Sequence, residues 1–339
     1  MARVAIIGRG WGARVQAPAF REAGLEVSDP VGRDDWRRVV ESPEVDLVSI
    51  VLPPSRHLEI ASAALRAGRH VLSEKPTAMN SAEAEELVDA ARQAPDRIAL
   101  IDHELRFLPA WQSARERMGD IGDLRYAEVR YASPGRGDRA REWTWWSNEE
   151  EGGGIWGAVG SHFVDTLRYL GFEIEAAQAV MNSVIAERPF EGSVRPVTAD
   201  DIASVNLRLH GGATAMLAIS AVASGPDEPA TITLHGESGA MRLVGEELLM
   251  SEPMKPFRRV AGGDLQKRDG NSPGGAFGTG TLLLGQALRR AIDHGEMHEL
   301  RHAATFDDGL AQQRVLDAAR RSSKNEGRWE KVTVLTGGP

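Results

Sequence analysis

A glycine-rich turn lies between the first apolar segment of the chain and the first helical pattern. Residues 3–7 form a short apolar run, and a helical pattern continues from the turn to Ala23. Glycines let a backbone turn tightly and approach a pyrophosphate, while the N–H groups at the start of the helix supply donors and positive potential. The placement predicts a dinucleotide-binding turn, and an ordinary strand-to-helix turn is the alternative. The turn consists of Gly8, Arg9, Gly10, Trp11 and Gly12.

Short apolar runs alternate with helical patterns through the first third of the chain. This alternation is typical of βαβ units, so we expect an α/β fold with an N-terminal Rossmann domain, a doubly wound parallel sheet. The predicted strands are 3–7, 46–52, 70–73 and 97–101, and the predicted helices are 12–23, 57–67, 80–94 and 110–118.

From residue 124 the predicted strands become longer and are joined by turns. This pattern of longer strands joined by turns predicts a C-terminal α+β domain with a large, mostly antiparallel open sheet. We place the domains at 1–118, shortened after its second strand, and 119–339, and leave open a return of the last strand and helix to the first domain. The predicted strands are 124–132, 177–186, 202–209, 213–221, 230–235 and 239–243, and the helices are 161–170, 279–294 and 305–322.

Composition narrows the function. The 339 residues carry a formal net charge of −9, which disfavours nucleic acid and anionic membranes as partners and favours a small molecule. There is no cysteine, which excludes disulfides, thiolate metal sites and cysteine nucleophiles. No apolar stretch approaches the roughly 20 residues of a membrane span, and glycine comes too early for a signal peptide. We therefore expect a cytoplasmic protein.

Two long stretches, 133–154 and 262–280, are rich in glycine and charge. Loops of that length are usually lids or disordered segments. The first stretch and the segment after it contain a group of tryptophans and arginines. Tryptophan faces stack on sugar C–H surfaces and arginines bind hydroxyl or acid groups, so the group suits a carbohydrate-like ligand, although packing of a domain or subunit interface explains it equally well. Its members are Trp143, Trp145, Trp146, Trp156, Arg136, Arg139 and Arg141.

Several motifs in a fixed order extend this pattern over nearly the whole chain. They are 73–76 (Ser-Glu-Lys-Pro) directly after a strand, 106–109 (Arg-Phe-Leu-Pro), 152–165 from three glycines to Gly-Ser-His-Phe-Val-Asp, and 305–309 (Thr-Phe-Asp-Asp-Gly). With these motifs the chain resembles the Gfo/Idh/MocA family of NAD(P)-dependent oxidoreductases. The resemblance implies a Rossmann domain followed by an α/β domain whose open sheet supports the active site and often an oligomer interface.

The resemblance also implies roles for individual residues. Lys75 is implied to lie beside the nicotinamide and the substrate, with His162 facing it from the second domain. Hydride transfer at an alcohol carbon needs a group that moves the hydroxyl proton and a cation that stabilises the alkoxide, and these two residues suit those roles. Asp165 shares a helix face with His162 and is expected to support it. Predicted cofactor contacts are the turn at 8–12 with Arg33, Leu52, Pro53, His57, Glu74 and Lys75; predicted substrate contacts are Lys75, Glu104, Arg106, Trp145 and His162, with Tyr126 and Tyr131 as further candidates.

Two positions depart from the family pattern. Ala158 stands where many members carry an aspartate, which removes a negative charge that would favour the protonated forms of Lys75 and His162. Around the second strand, Arg33 would suit the 2′-phosphate of NADP, whereas Asp29 would suit the ribose of NAD. The sequence leaves NAD and NADP both open as the cofactor. No third ligand accompanies His162 and Asp165 at a recognisable spacing, so no metal is expected.

The leading hypothesis is therefore an oxidoreductase that acts on a sugar, inositol or related hydroxy/keto compound. A homodimer or homotetramer through the C-terminal sheet is expected from the resemblance. One rival is a binding or regulatory protein that has lost turnover on the same scaffold. Another is an enzyme that uses a tightly bound NAD(H) for redox-neutral elimination, epimerisation or glycoside cleavage.

Overall fold

The computed structural model describes residues 1–263 and 275–333 of the chain. They form two compact units, Met1–Gln112 with the described part of Asp264–Leu310, and Ser113–Gly263 with the described part of Ala311–Pro339. In chain order the strands are β1 (Arg3–Ile7), β2 (Glu26–Val27), β3 (Leu47–Ile50), β4 (His70–Ser73), β5 (Ala99–Ile101), β6 (Leu124–Ala132), β7 (Ile174–Asn182), β8 (Glu187–Phe190), β9 (Ser193–Pro196), β10 (Ile202–Leu209), β11 (Thr214–Ser220), β12 (Thr231–Gly236), β13 (Ala240–Val244), β14 (Glu247–Ser251), β15 (Arg258–Gly262), β16 (Ala304–Thr305) and β17 (Glu330–Lys331). The α-helices are α1 (Ala17–Glu22), α2 (Trp36–Glu41), α3 (His57–Arg66), α4 (Ser81–Arg92), α5 (Pro109–Glu116), α6 (Ser161–Tyr169), α7 (Gly275–His294) and α8 (Phe306–Lys324).

The first unit is built on a six-stranded sheet in the described residues, in the order β16-β5-β4-β3-β1-β2. The strands from β2 to β5 pair in parallel, and β16 closes the edge antiparallel to β5. Strands β1 and β3 are apolar and buried on both faces because helices cover the two sides of a parallel sheet. The predicted Rossmann architecture is confirmed.

Helix α7 belongs to this first unit, although it follows the second sheet in the chain. The prediction assigned everything after residue 118 to the second domain. Leu284, Leu288 and Ala291 of α7 are buried in one apolar cluster with Ile6 and Phe20. Burial of this apolar face stabilises the packing of α7 on the first unit, because leaving a face of that size exposed to water would cost several kcal/mol of folding free energy.

The region after the second strand is short, as the comparison with the family pattern predicted. Strand β2 has two residues, and beyond it Val31 makes an isolated bridge to Ile7. The proline at position 30 lacks the N–H that a longer ladder would need. A short helix, α2, nevertheless follows, although none was predicted there. It forms because Trp36, Val39 and Val40 bury their side chains in the core.

The second unit contains a nine-stranded sheet in the described residues, in the order β15-β14-β13-β12-β6-β11-β10-β7-β17. Only β6 and β11 pair in parallel, and the remaining neighbours are antiparallel, as predicted. Buried and exposed residues alternate along β10 and β11, so one face is covered and the other is open. Strands β8 and β9 form a separate hairpin.

The two glycine-rich stretches have different outcomes. In 133–154 the chain forms two short 3-10 turns, Trp145–Ser147 and Glu149–Glu151, with no strand or α-helix. Residues 264–274 of the second stretch lie outside the described residues, and from Gly275 onward the chain is helical. Among the described residues no helix is long and apolar enough to span a bilayer. Within 1–263 and 275–333, no group of three or more His, Asp or Glu side chains could hold a metal ion.

The assignment of α7 to the first unit can be tested by removing one core side chain. We expect Leu288→Ala to cost about 2–5 kcal/mol of unfolding free energy, because the cavity forms in a closed core. Met297→Ala is the control, since Met297 is 54% exposed. Differential scanning calorimetry should show a lower Tm for Leu288→Ala alone, and equal melting of both variants would contradict the assignment.

Candidate functional site

The glycine turn is held against the strand ends by close backbone packing. Gly8 has φ +133°, and a Cβ there would overlap the carbonyl of Val51. A Cβ on Gly12 would lie 2.7 Å from Ile6 Cγ2, whereas a Cβ on Gly10 would meet no atom within 4 Å. Gly8 and Gly12 are therefore required by the fold itself. Gly10 leaves open space, which suits the approach of a pyrophosphate.

The turn leads into a π-helical segment, Gly12–Gln16, before α1 begins. Ala17 N–H donates to the carbonyl of Gly12, which is the hydrogen bond of a π-turn. No acidic residue lies in this segment, and Arg14 adds positive charge. The helix start therefore favours an anion, which fits the phosphates of a dinucleotide.

The chain beyond β2 returns to the glycine turn. Gly8 N–H donates to the carbonyl of Val31 at 2.9 Å, and a Cβ on Gly32 would lie 3.9 Å from Arg9 Cζ. Arg33 follows directly and is exposed. Asp29 pairs instead with Arg21 at 3.2 Å on the surface. Of the two candidates for reading the adenosine ribose, Arg33 is the one that directly follows residues in contact with the turn, Val31 and Gly32.

His57 joins two loops at the carboxyl ends of β3 and β4. The buried imidazole has Nε2 2.9 Å from the carbonyl of Leu52, and Nδ1 3.1 Å from that of Pro76. Burial lowers the pKa of His57, and the nearby charge of Lys75 lowers it further. The carbonyls around the ring oppose this decrease. The imidazole thus lies between the segment that contains Leu52 and Pro53 and the Lys75–Pro76 turn, whose peptide bond is cis. In its neutral form it has a single N–H and donates to one of the two sides.

Lys75 lies beside a buried hydrogen-bond network that starts at Gln16. The amide Nε2 of Gln16 donates to Asp102 Oδ2 at 2.7 Å and to Glu74 Oε1 at 3.1 Å. Ser49 Oγ donates to Gln16 Oε1 at 2.6 Å. The main-chain N–H of Lys75 donates to Glu74 Oε2 at 3.3 Å. The network connects the end of the glycine turn with the predicted catalytic lysine.

Three carboxyl groups gather around this network. Burial raises the pKa of Glu74, while the charge of Lys75 opposes that rise. The pKa values of Asp102 and Glu104 lie well above their usual range, first because of burial and then because of the neighbouring carboxyls. Glu104, predicted as a substrate contact, is fully buried. Buried carboxyls that crowd one another favour their protonated forms, and the charge of Lys75 opposes this for all three.

Arg106 forms a buried ion pair. Its Nη2 lies 3.4 Å from Asp308 Oδ1, and its Nη1 donates to the carbonyl of Ala303. Asp308 also accepts from the main-chain N–H of Thr305, while Thr305 Oγ1 accepts from the Asp308 N–H, which makes a capping box at the start of α8. Although burial raises the pKa of Asp308, the Arg106 charge and the Thr305 bonds give a net decrease. Arg106 thus anchors the 305–309 motif within the first unit.

In the second unit, three glycines and a buried carboxylate position the segment before His162. A Cβ on Gly153 would lie 2.6 Å from the Trp145 carbonyl, and one on Gly154 would overlap the Asp200 carboxylate. Asp200 Oδ2 accepts from the main-chain N–H of Trp156 at 2.7 Å. Burial raises the pKa of Asp200, although the Trp156 N–H opposes that rise. The run of glycines lets this carboxylate reach the start of the helical segment.

His162 follows a second π-helical segment, Trp156–Gly160, on α6. Gln312 Nε2 donates to the carbonyl of Ser161 at 2.6 Å, and Trp156 Nε1 donates to that of Leu316, so α8 holds both ends of this segment. Ala158 is buried within it. His162 and Asp165 lie one turn apart on α6, and both are 3% exposed.

The aromatic side chains have separate roles. Trp143 and Trp156 are buried, while Trp145 and Trp146 are half-buried with ring centroids 5.8 Å apart. The guanidinium of Arg136 lies 5.0 Å from the ring centroid of Trp146. Burial, with two neighbouring arginines, lowers the pKa of Arg136 to about 10. Packing therefore explains two of the four tryptophans, and the other two form a face that a ligand can contact.

Tyr131 and Tyr126 lie on opposite faces of β6. Tyr131 contacts Phe163, the residue after His162, with centroids 6.2 Å apart. Tyr126 stacks on His235 on the open face and donates to Glu128. The prediction of Tyr126 as a site residue is therefore wrong, because alternation along the strand turns it away from α6.

Sequence reasoning missed Gln16, Asp102 and Asp200. Gln16 and Asp102 are buried and Asp200 is half-buried, and each bonds to residues that are distant in the chain. The one signal for Gln16 was a polar residue within the apolar pattern of the first helix. The sequence carried no comparable signal for Asp102 or Asp200.

Comparison with known proteins agrees with this architecture. A family model described as the oxidoreductase family with an NAD-binding Rossmann fold matches residues 26–101, and the GFO/IDH/MocA C-terminal domain matches 112–242. An uncharacterized oxidoreductase of Synechocystis sp. is 32% identical over 269 residues, which are 72% of each chain. Levoglucosan dehydrogenase of Pseudarthrobacter phenanthrenivorans is 29% identical over 66% of this chain and 61% of its own. A levoglucosan dehydrogenase structure in complex with NADH matches the fold with a TM-score of 0.84 at 22% identity, covering 98% of this chain and 100% of that one.

The glycine turn can be tested with two matched substitutions. We expect Gly8→Ala to lower the Tm of the ligand-free protein, since it strains the backbone at Val51. Gly10→Ala should leave that Tm unchanged and weaken NADH binding about tenfold or more, because the added methyl meets only a bound ligand. Thermal melting and fluorescence titration with NADH measure the two effects. Unchanged NADH affinity in Gly10→Ala would show that the pyrophosphate lies elsewhere.

Proposed function

Since the chain belongs to the Gfo/Idh/MocA family of oxidoreductases, with an NAD-binding Rossmann domain, we propose that it transfers a hydride between nicotinamide and a sugar, inositol or related hydroxy/keto compound. The observation that carries this proposal is the network from the glycine turn to Lys75. Gln16 ends the segment that follows the turn, and it bonds to Glu74, the neighbour of Lys75. Ligands of open α/β sheets bind at the carboxyl ends of the strands, where this network lies.

Cofactor binding is assigned to the glycine turn and the loops beside it. The turn at 8–12 offers the helix start to the pyrophosphate, and Arg33 offers a cation to the adenosine side. Leu52 and Pro53, held by His57, supply an apolar edge for the rings. When bound, the nicotinamide accepts or supplies the hydride.

Lys75 stabilises the substrate oxygen in this proposal. As the carbon–hydrogen bond breaks, negative charge grows on the oxygen, and an ammonium within hydrogen-bond distance lowers the energy of that state. The charge of Lys75 in turn opposes the rise in the pKa of the adjacent Glu74.

His162 moves the hydroxyl proton. In the oxidising direction a neutral imidazole takes the proton from the substrate hydroxyl, and in the reducing direction an imidazolium returns it. Asp165, one turn later on α6, is proposed to orient the ring. The π-segment and its contacts with α8 support this role, because they fix the start of the helix that carries His162.

Trp145 and the adjacent Trp146 are proposed to contact the substrate. Their half-buried rings suit the C–H faces of a sugar, and Arg136 adds donors for its oxygens. A levoglucosan dehydrogenase among the relatives supports a sugar-like substrate.

Ala158 favours one second candidate, a ligand-binding protein without turnover. Many family members carry an aspartate at this position, and here the site is a buried alanine. The two candidates share the cofactor and differ in the rate of hydride transfer.

Hydride transfer is tested by removing the two proposed catalytic groups. We expect Lys75→Ala and His162→Ala each to lower kcat by about 10²–10⁴ while NADH affinity is kept, because each group acts on the reacting oxygen. Steady-state assays on a sugar and polyol screen with NAD and NADP provide the measurement. Lys255→Ala and His210→Ala, at exposed positions outside the site, are the controls. NADH binding without turnover of any compound by the wild-type protein would favour the second candidate.

We further propose that the open face of the nine-stranded sheet binds a second copy of this chain. This face has a groove lined by residues of both charge signs around an exposed apolar side chain. A twofold interface brings each patch against itself, so a patch with both signs is self-complementary. The lining residues include Glu128, Arg130, Asn206, Met216, Ala218 and Arg242.

A charge in the centre of this face should prevent association. Met216→Glu places two carboxylates near one another across a twofold interface, and we expect at least a tenfold weaker dimer, about 1.4 kcal/mol. Met254→Glu is the control, because Met254 is fully exposed outside the groove. Analytical ultracentrifugation of both variants gives the result. A monomeric wild-type protein, or Met216→Glu that associates like wild type, would refute the proposed interface.

A further inference from the structure

Gln16 is a fully buried amide in a segment whose fold does not require a polar side chain. It lies directly after the glycine turn, between the ends of three strands. Burying an amide without partners costs several kcal/mol, so its three hydrogen bonds explain how it is tolerated. They do not explain what the amide does for the protein.

The three bonds allow only one orientation of the amide. Ser49 Oγ donates to Oε1, and Nε2 then directs its two hydrogens at Glu74 Oε1 and Asp102 Oδ2. A flipped amide would place its oxygen against two carboxyl oxygens. The amide therefore supplies both carboxyls with a donor and fixes which oxygen of each is used.

The remaining proton lies between the two carboxyls. Glu74 and Asp102 both accept from the one amide nitrogen of Gln16, and burial raises the pKa of both, so we infer that one of the two carboxyls keeps a proton. The Glu74 carboxylate accepts from the Lys75 N–H as well as from Gln16, whereas Asp102 Oδ1 has no hydrogen-bond partner in the described part of the chain. The Lys75 charge opposes the rise in the pKa of both carboxyls. Glu104, the third carboxyl, is buried against both and is held neutral by them. The charge is thus on Glu74 and the proton on Asp102.

We propose that Gln16 is a positioning residue which acts on Lys75 through Glu74, by fixing Glu74 as the ionised acceptor and Asp102 as the neutral donor. This inference rests on the proposed function, in which the Lys75 ammonium stabilises the substrate oxygen. The groups that face the network are Glu74, Lys75, Asp102, Glu104 and the neutral His57, whose ring contacts Pro76. Lys75 then has one counter-charge at a fixed place.

Two isosteric substitutions separate the roles of the carboxyls. Asp102→Asn keeps an acceptor for Gln16 and a donor for Glu74, so it reproduces the neutral acid. Glu74→Gln removes the charge beside Lys75. It also turns an amide N–H towards one of the donors that Glu74 accepts from, Gln16 Nε2 or the Lys75 N–H. We expect Glu74→Gln to lose about 100-fold in kcat, with the NADH dissociation constant within about threefold of wild type. Asp102→Asn should retain at least about tenfold more kcat than Glu74→Gln.

Removing the amide itself tests Gln16. Gln16→Met leaves both carboxyls without their donor, and we expect kcat to fall about 100-fold with NADH binding retained. Gln313→Met is the matched control, since Gln313 is also fully buried, and its amide donates to Asp317 in the second unit. It should lower the Tm and leave kcat unchanged. Equal losses of kcat in the two variants would show that Gln16 contributes only to packing.

Whether Asp102 carries the proton can be measured in the ligand-free protein, from the dependence of its Tm on pH. The pKa of Asp102 is raised in the folded state, so the stability from its proton is full below the unfolded pKa and is lost as pH rises through the folded pKa. Asp102→Asn cannot lose a proton. Its Tm relative to wild type should therefore increase by about 3 °C or more as pH rises from 5 to 8. The increase should be larger than that of Glu74→Gln, because the pKa of Asp102 is raised further than that of Glu74.

The outcomes separate this inference from the proposed function. If Lys75→Ala keeps full turnover, the proposed function fails, and the Tm measurements still decide where the proton lies. If turnover depends on Lys75 but Asp102→Asn is as damaged as Glu74→Gln, the assignment of donor and acceptor is overturned. A Tm difference between Asp102→Asn and wild type that does not change with pH would overturn it as well.

Discussion

The first unit depends on the contact between the glycine turn and the end of β3. At Gly8 the backbone passes so close to the Val51 carbonyl that no side chain fits, and Val51 N–H donates to the Ile7 carbonyl at 2.8 Å. This contact fixes where the chain leaves β1 and where it leaves β3. The π-turn that carries Gln16 begins at the first exit, and the loop held by His57 begins at the second. The cofactor turn and the Lys75 network therefore share one backbone constraint.

A similar arrangement recurs in the second unit, on a different sheet. There too a glycine without room for a Cβ, a π-turn and a buried polar partner precede the residue of interest. Gly160 packs against the Trp156 ring, and the π-turn ends just before His162. Insertion of one residue into a helical turn rotates the side chains that follow, so each π-turn changes the direction in which the next helix presents its residues. In both units the helix direction is set by contacts made before the helix starts.

The sequence predicts most of this fold, because its strands have clear apolar patterns. The bounds of β1, β4, β6 and β10 agree with the prediction residue for residue. The hairpin β8–β9 and strands β14–β15 were missed, since β9 is exposed throughout and the edge strands lack a regular alternation. The candidate site was less predictable. Motifs indicated Lys75 and His162, whereas the partners of Gln16 lie 33, 58 and 86 residues away, a distance at which local patterns carry no information.

The charge around Lys75 also bears on the missing aspartate at position 158. In the family pattern that carboxylate favours the protonated forms of the lysine and the histidine. In this chain the first unit supplies its own anion, since Glu74 adjoins Lys75 and its charge is maintained by the neutral forms of Asp102 and Glu104. We therefore infer that the missing carboxylate matters more for His162 than for Lys75, and that the proposed proton transfer at His162 is the step in which this protein differs most from family members that keep the aspartate.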